Sequence, residues 1–469
     1  MKNKNLQLIE NCIATYNSGK KSLAINKLKS KFKKNPNNSD LAASIALLYQ
    51  RSEKDSIAKD YYEKAIKIDS SNASYIFNYG VLLYGMRFFE QGIKNVKQAI
   101  KIEQNAFYLL TLAKFLYNSG FTNESKEYLN KSQLIDEKNN NKFFNEIIWN
   151  KAHAELRQGN LELGWRYFQA RLDFDRASIT HDSMKSKAII DGKIPVWNGE
   201  NLDNKSIIIH DEQGFGDTIQ FARYVKLLEK KFKNIKIFFI CKIELVNVFK
   251  NLGKNITVAH REGNETYTET LNTDYYIFLM SLPIYFEKNY KSIYSNFPYL
   301  YPRKQRKKFQ FIRPDKINIA ISWTGSNINP NDFNRSLSSV KLFEPIYSNP
   351  QINCISMQVG NSYVEIDDLI EIFDASGYIN DFQDSLDIIS KVDLVITIDT
   401  ALAHLAGAAN IPCWVLIPKI CTDWRWGENL SVSPWYKSIS IYKQKKEDDW
   451  QEPINKIYKD LKKKFRALT

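Results

Sequence analysis

Residues 207–228 read IIIHDEQGFGDTIQFARYVKLL, and their interpretation decides the architecture of the C-terminal part. Ile207, Ile208 and Ile209 form an unalternating apolar run, the pattern of a strand buried on both faces. Gly214 and Gly216 then let the backbone turn tightly and approach a ligand. Ile219, Ala222, Arg223 and Leu227 begin a helical period. Strand, glycine turn and helix are the parts from which an open parallel sheet builds a site at the carboxyl ends of its strands. Asp217 has two readings here. It is either a helix cap, with Gln220 completing a capping box, or a side chain held over the sheet end for chemistry. The polar run His210, Asp211, Glu212, Gln213 favours chemistry, because polar groups closing a buried strand are costly unless a site uses them.

Working outward, the strand–helix alternation continues in both directions of an α/β half. Strands are expected at 206–210, 235–240, 255–259 and 274–279, with helices at 217–232 and 243–251 between them. A basic, proline-ended stretch, 303–314, reads as an interdomain linker. A second α/β half follows, with strands at 317–323, 352–357, 393–398 and 413–417. Its first strand ends in Thr324, Gly325 and Ser326. The strand 393–398 runs into Asp399, Thr400, Ala401, Leu402, Ala403 and His404, opening a helix of small residues. Such a helix leaves its first amides open, and amides plus dipole make an anion site suited to a diphosphate. Thr400 as a plain cap and His404 as a core histidine are the structural alternatives. Arg335 and the Gly325–Ser326 loop in the same half favour the ligand reading. Trp424, Arg425 and Trp426 read as packing. Residues 447–468 form an amphipathic helix with Trp450, Ile454, Ile457, Tyr458 and Leu461 on one side.

Upstream, residues 61–69 (YYEKAIKID) recur as 95–103 (NVKQAIKIE) and, degraded, as 128–136 (YLNKSQLID). Ala65 and Ala99 stand 34 residues apart, and Ala24, Ala58 and Gly92 keep the same step. A 34-residue step with a small residue four before a large one is the tetratricopeptide pattern. An array of helix pairs is expected over residues 1–175, with a looser last repeat at Trp149, Gly164 and Phe168. Residues 176–204, including the turn-like Pro195–Gly199, form a linker. Arrays of this kind usually bind partners and carry no chemistry.

The 469 residues predict two or three domains, and 43% hydrophobic content supplies cores for them. No apolar run approaches a membrane span, and the N-terminus lacks a signal-peptide core. Five scattered cysteines without a CxxC pair argue for a reducing, cytoplasmic setting and against zinc. The net charge of +14 suggests an anionic partner such as nucleic acid or, peripherally, a membrane surface. The chain is also rich in Lys, Asn and Ile, a compositional bias that inflates lysine by itself. No aromatic-interleaved basic motif appears, so nucleic acid is not the expected partner.

The series EQGFGDTIQFARY, ISWTGS, NRSL, TIDTALAHLAGA and DWRW resembles bacterial tetratricopeptide-repeat proteins fused to a heptosyltransferase-type glycosyltransferase domain. In architecture these are similar to the O-linked N-acetylglucosamine transferases. The resemblance covers nearly the whole chain. It implies a tetratricopeptide solenoid followed by a GT-B fold of two Rossmann-like halves, 205–302 on the acceptor side and 315–446 for the nucleotide sugar. The last helix, 447–469, would cross back to the first half. It implies an inverting, metal-independent transferase with no cofactor, taking a nucleotide-sugar donor and a protein, peptide or glycan acceptor. Matched by motif, Asp217 is the general base, and Glu212, Gln213, Gly214 and Gly216 form the acceptor-side loop. Asp399, Thr400, Ala401 and His404 match the donor-phosphate segment and Arg335 a basic residue facing the leaving phosphates; Gly325 and Ser326, with Lys419 just after a strand as a weaker candidate, complete the expected donor side. Ala401 stands where such enzymes often carry glycine. The rival expectation is a non-catalytic repeat scaffold with a decayed transferase domain.

Overall fold

The structure is a computed structural model describing residues 2–173, 192–260, 273–293, 298–304, 309–326, 329, 331–360 and 371–465. Two compact units divide the chain, Met1–Asn150 and Lys151–Thr469. Residues 176–191 of the expected linker, 305–308 of the basic stretch and 466–468 of the last helix lie outside the described residues.

The first unit is a tetratricopeptide-like helical solenoid. Its helices pair in sequence: Lys2–Asn17 with Lys21–Lys34, Ser39–Gln50 with Asp55–Ile68, Ala73–Gly85 with Phe89–Ile102, and Ala106–Asn118 with Thr122–Asp136. The periodic small residues allow each pair to close. A Cβ on Gly92 would stand 2.8 Å from Tyr84 Cβ and 2.9 Å from the Gly80 carbonyl. Ala58, the equivalent residue one repeat earlier, is fully buried. The next small residue, Ser125, comes 33 residues after Gly92, and its hydroxyl donates to the Ala113 carbonyl at 2.7 Å, so the polar atom is satisfied inside the pair. Asn38, Asn72 and Asn105 each cap the first helix of a pair, accepting from Leu41, Ser74 and Tyr108 amides at 2.8, 3.0 and 2.9 Å. Aromatic stacking joins successive pairs: Phe77 on Tyr108 at 4.1 Å and Tyr84 on Phe115 at 3.7 Å between ring centres.

The second unit takes in part of what the sequence placed in a last repeat. Gly164 and Phe168 lie on the helix Leu161–Phe168, whose Trp165 and Phe168 pack edge-on against Trp424. Trp165 also meets Phe221 and Trp435. This helix is therefore built into an aromatic core with the α/β part, whereas Trp149 lies in the first unit on the helix Phe144–Arg157, whose Ile147 packs with Leu110, Ala113 and Leu129.

A parallel four-stranded sheet follows in the order β3-β2-β1-β4, with β1 Ser206–His210, β2 Lys236–Cys241, β3 Ile256–His260 and β4 Tyr275–Phe278. All four begin within one residue of expectation. Pro195–Trp197, expected as turn-like linker, extends along β4: the Tyr276 amide donates to the Pro195 carbonyl at 3.0 Å and the Trp197 amide to Tyr276 at 2.9 Å. Burial of the Trp197 ring explains the difference.

The second sheet is parallel and six-stranded, in the order β10-β9-β8-β5-β6-β7. Its strands are β5 Ile317–Ser322, β6 Ile352–Ser356, β7 Ile372–Asp374, β8 Leu394–Ile398, β9 Cys413–Ile417 and β10 Ile439–Lys443. The order reverses between β5 and β8, which is where doubly wound sheets open a crevice. The sequence reading contained neither β7, three residues long, nor β10. The last helix, Gln451–Lys464, was expected to cross to the first sheet. Ile454, Ile457 and Leu461 are instead built into the second sheet's core beside Ile319, Trp414 and Tyr442. Burying that apolar stripe on the nearest sheet requires no crossing. Among the described residues no helix is long and apolar enough to cross a membrane.

Candidate functional site

The carboxyl end of β1 becomes a turn in which Gln213 takes a left-handed backbone conformation (φ 63°) and Gly214 opens the helix Phe215–Lys231. The helix starts two residues earlier than expected, and this changes the cap. Glycine offers no side-chain oxygen, so Asp217, now in the third helical position, reaches back to accept from the Gly214 amide at 2.8 Å. Gln220 does not complete the box; its Oε1 accepts from Arg425 Nε at 2.7 Å. The other oxygen of Asp217 faces Arg425 Nη2. Burial raises the Asp217 carboxyl above its usual range, while Arg425 and the Gly214 amide work against that shift.

Much of the polar run before the glycines is occupied internally. Glu212 forms a buried two-pronged pair with Arg171, at 2.8 Å to Nε and 2.6 Å to Nη2. It also accepts from the Met280 amide at 3.0 Å. Asp211 accepts from the Lys242 amide at 3.2 Å. The Gln213 carbonyl accepts from the Lys242 ammonium. These contacts hold the loop in shape.

In the second sheet the crevice-forming strands are β5 and β8. Beyond β8, Thr400 precedes the helix Ala401–Ala408, but its hydroxyl contacts Thr397 at 3.2 Å and makes no cap. Arg335 donates through Nη1 to the Asp399 carbonyl at 2.8 Å and through Nε to Asp332 at 3.1 Å. A Cβ on Gly325 would stand 2.3 Å from Asp332 Oδ1 and 2.5 Å from Arg335 Nη2, so a larger residue where β5 ends would displace the tips of those two side chains. Ser326 lies on the same loop, its carbonyl accepting from Asn329 at 3.0 Å. Burial raises Asp399 to about 6, Asp423 adds to the rise, and Arg335 and Arg425 oppose it. His404 is buried with Nδ1 3.1 Å from the Tyr436 hydroxyl, and burial pushes its pKa down to about 3, so the ring is neutral at pH 7. Lys419 is exposed beyond β9, its amide donating to Gln444 at 3.1 Å.

The two glycine-and-small-residue turns meet. A Cβ on Gly216 would come 2.8 Å from His404 Cδ2 and 3.5 Å from Ala401 Cα. Gly216, Asp217, Ala401 and His404, read from separate stretches, are thus brought together. The residue that joins them was read as packing. Arg425 pairs with Asp217 and with Asp423, at 3.0 and 3.1 Å from Nη1, and lies 4.3 Å from the Trp424 ring centre. Although burial works to raise it, Asp423 is held below the usual carboxylate range by Arg425. The sequence signal for Arg425 was available: an arginine between two tryptophans, next to an acid, is a stacked and paired cation more readily than a surface charge. Among the described residues no group of three His, Cys, Asp or Glu side chains could hold a metal ion.

No family model matches the chain. It is 24% identical over 349 residues to Protein FlbA of Caulobacter vibrioides, covering 66% of this chain. The chain spans about half the length of that relative, 53%. Among solved structures, the MamA protein is 16% identical over 39% of this chain and 97% of its own, with a TM-score of 0.32. Pseudomonas aeruginosa PilF is 19% identical over 38% of this chain and 83% of its own, also at 0.32. YrrB, described as a tetratricopeptide-repeat protein with an unusual peptide-binding site, is 17% identical over 32% of this chain and 75% of its own, at 0.28.

Proposed function

We propose that the second unit is a GT-B-type glycosyltransferase that moves a sugar from a nucleotide-sugar donor to an acceptor hydroxyl with inversion. The observation carrying this reading is the approach of Gly216 to His404 and Ala401. It sets the Asp217 carboxylate beside the first turn of a helix whose opening amides have no side-chain cap. A diphosphate fits such amides, and Arg335 at the same corner supplies a full positive charge. Asp217 would take the acceptor proton as the hydroxyl attacks the anomeric carbon. The leaving diphosphate would be stabilised by amides and guanidinium groups already in place. His404, neutral, would serve as a hydrogen-bonding wall and not as a cation. The first unit would present the acceptor protein or another protein partner, as repeat arrays do.

One observation favours the non-catalytic reading. Both Asp217 oxygens are engaged, by the Gly214 amide and by Arg425, so the carboxylate has a complete structural role without any reaction. The two readings separate on Asp217→Asn, which keeps the amide cap. The transferase reading expects unchanged folding and turnover lowered roughly 10²- to 10⁴-fold. Transfer is followed with UDP-, GDP- and ADP-sugars against a partner captured on the array. Equal turnover in both proteins would return Asp217 to its structural role.

A further inference from the structure

Arg425 is held in place without help from Asp217. Nε donates to Gln220 Oε1 at 2.7 Å, and Nη1 donates to both oxygens of Asp423 at 3.0 and 3.1 Å. The guanidinium carbon lies 4.3 Å from the Trp424 ring centre and 5.7 Å from that of Phe221. Nη2 is the donor turned towards Asp217. Exposure differs across the pair, 20% for the Asp217 side chain and 7% for Arg425. The pair also abuts the first turn of Ala401–Ala408, because Ala401 Cα is 3.5 Å from where a Gly216 Cβ would stand. Beside the guanidinium, buried Gln220 has no hydrogen-bond partner for Nε2 among the described residues.

We propose that Arg425 gates the base: it holds Asp217 in an ion pair until a diphosphate enters, and a phosphate oxygen then replaces the carboxylate on Nη2. This inference rests on the nucleotide-sugar reading above. Nε and Nη1 stay on Gln220 and Asp423 throughout, so the exchange needs no movement of the arginine. No covalent bond changes in the step. Its chemical value lies in the order it imposes. A carboxylate paired with a guanidinium is a weak base, and the same carboxylate released into a buried setting is a stronger one. The base becomes available only when the leaving group is already in its site.

Competition for one donor makes Asp217 and the diphosphate antagonists, and coupling between them is reciprocal. Removing the Asp217 charge must therefore strengthen diphosphate binding, the reverse of what loss of a merely structural pair would do. The test is calorimetric titration of the full-length protein with UDP, GDP and ADP, following the tightest binder. Asp217→Asn is expected to bind it about tenfold more tightly than wild type, within the usual span of such couplings. The gain should vanish when Arg425→Gln is added, or Arg425→Met where the Gln variant does not fold. A gain that persists without Arg425 would indicate simple repulsion by Asp217 and overturn the gate. So would unchanged or weaker binding by Asp217→Asn, with nucleotide binding itself intact. If neither wild type nor Asp217→Asn binds any of the three, the gate and the nucleotide-sugar reading fall together.

Discussion

Glu212, in the loop after β1, and Asp217, in the first turn of the helix that loop leads into, each face an arginine, yet the two pairs are built differently. Glu212 and Arg171 are 2% and 3% exposed, and the guanidinium spends two nitrogens on one carboxylate. Ser281 Oγ, at 2.8 Å, and the Phe168 carbonyl, at 3.2 Å, take the donors that remain in reach. Four of the guanidinium's five N–H donors are thereby used inside the protein. Asp217 keeps a fifth of its side chain exposed and shares its arginine with Asp423 and Gln220. A fully buried pair with all but one of its donors used is a fastening. A partly exposed pair sharing a multiply held arginine can exchange partners.

The sharpest way to break this contrast is to remove Arg171. Arg171→Ala leaves the Glu212 carboxylate buried without its guanidinium partner, and loss of one partner of such a pair costs about 3–5 kcal/mol. Urea unfolding of the full chain should show that loss in the transition of the second unit. A cost below about 1 kcal/mol, the worth of a surface pair, would erase the distinction. Arg335→Ala comes next. It should weaken the best nucleoside diphosphate by about 1.5–3 kcal/mol, the range for a hydrogen bond to a charged group. Binding by wild type should persist in EDTA. Loss of binding on chelation, with Arg335→Ala unaffected, would defeat the metal-independent assignment.

A smaller effect tests the array as a counterpart that works by packing alone. Ala58→Leu overpacks a fully buried position and should cost about 1–3 kcal/mol. Each repeat touches only its neighbours, so nucleotide affinity should not change. The mildest test is pH. Burial raises Glu287 to about 7 from its ordinary value of 4.5, against the pull of Tyr224 and Arg223. The folded state then holds the proton more tightly than the unfolded chain does. Its contribution is complete below the unfolded pKa and is lost as pH rises through the folded one. Compared with Glu287→Gln, wild type should lose stability between about pH 4.5 and 7. A difference that stays flat across that window would mean Glu287 titrates normally.

What was legible in the sequence followed from short-range periodicity. The 34-residue step marked the helix pairs because close packing forces small residues to recur at one place in each pair. Apolar runs marked β1, β5, β8 and β9 because strands covered on both faces cannot alternate. Asn38, Asn72 and Asn105 recur at nearly the repeat period and were missed, though caps are local enough to read. β7 escaped because three residues carry too little pattern. The start of the glycine-loop helix escaped because its cap is supplied from inside the helix, by Asp217.

The candidate site divides in the same way. Asp217, Thr400 and His404 stood out because a strand end, a glycine turn and a run of small residues are all local features. That Gly216 lies against His404, and that Arg425 pairs with Asp217, joins residues about two hundred positions apart. No periodicity encodes such a contact. It exists only when both sheets have formed and their carboxyl ends have met, because ion pairs and close backbone approaches depend on distance in space, not on spacing along the chain. The sequence by itself determined the repeats, the principal strands and the small-residue turns. The tertiary structure alone decided which polar side chains are consumed as fastenings, and which stay near enough to solvent and to a shared partner to exchange.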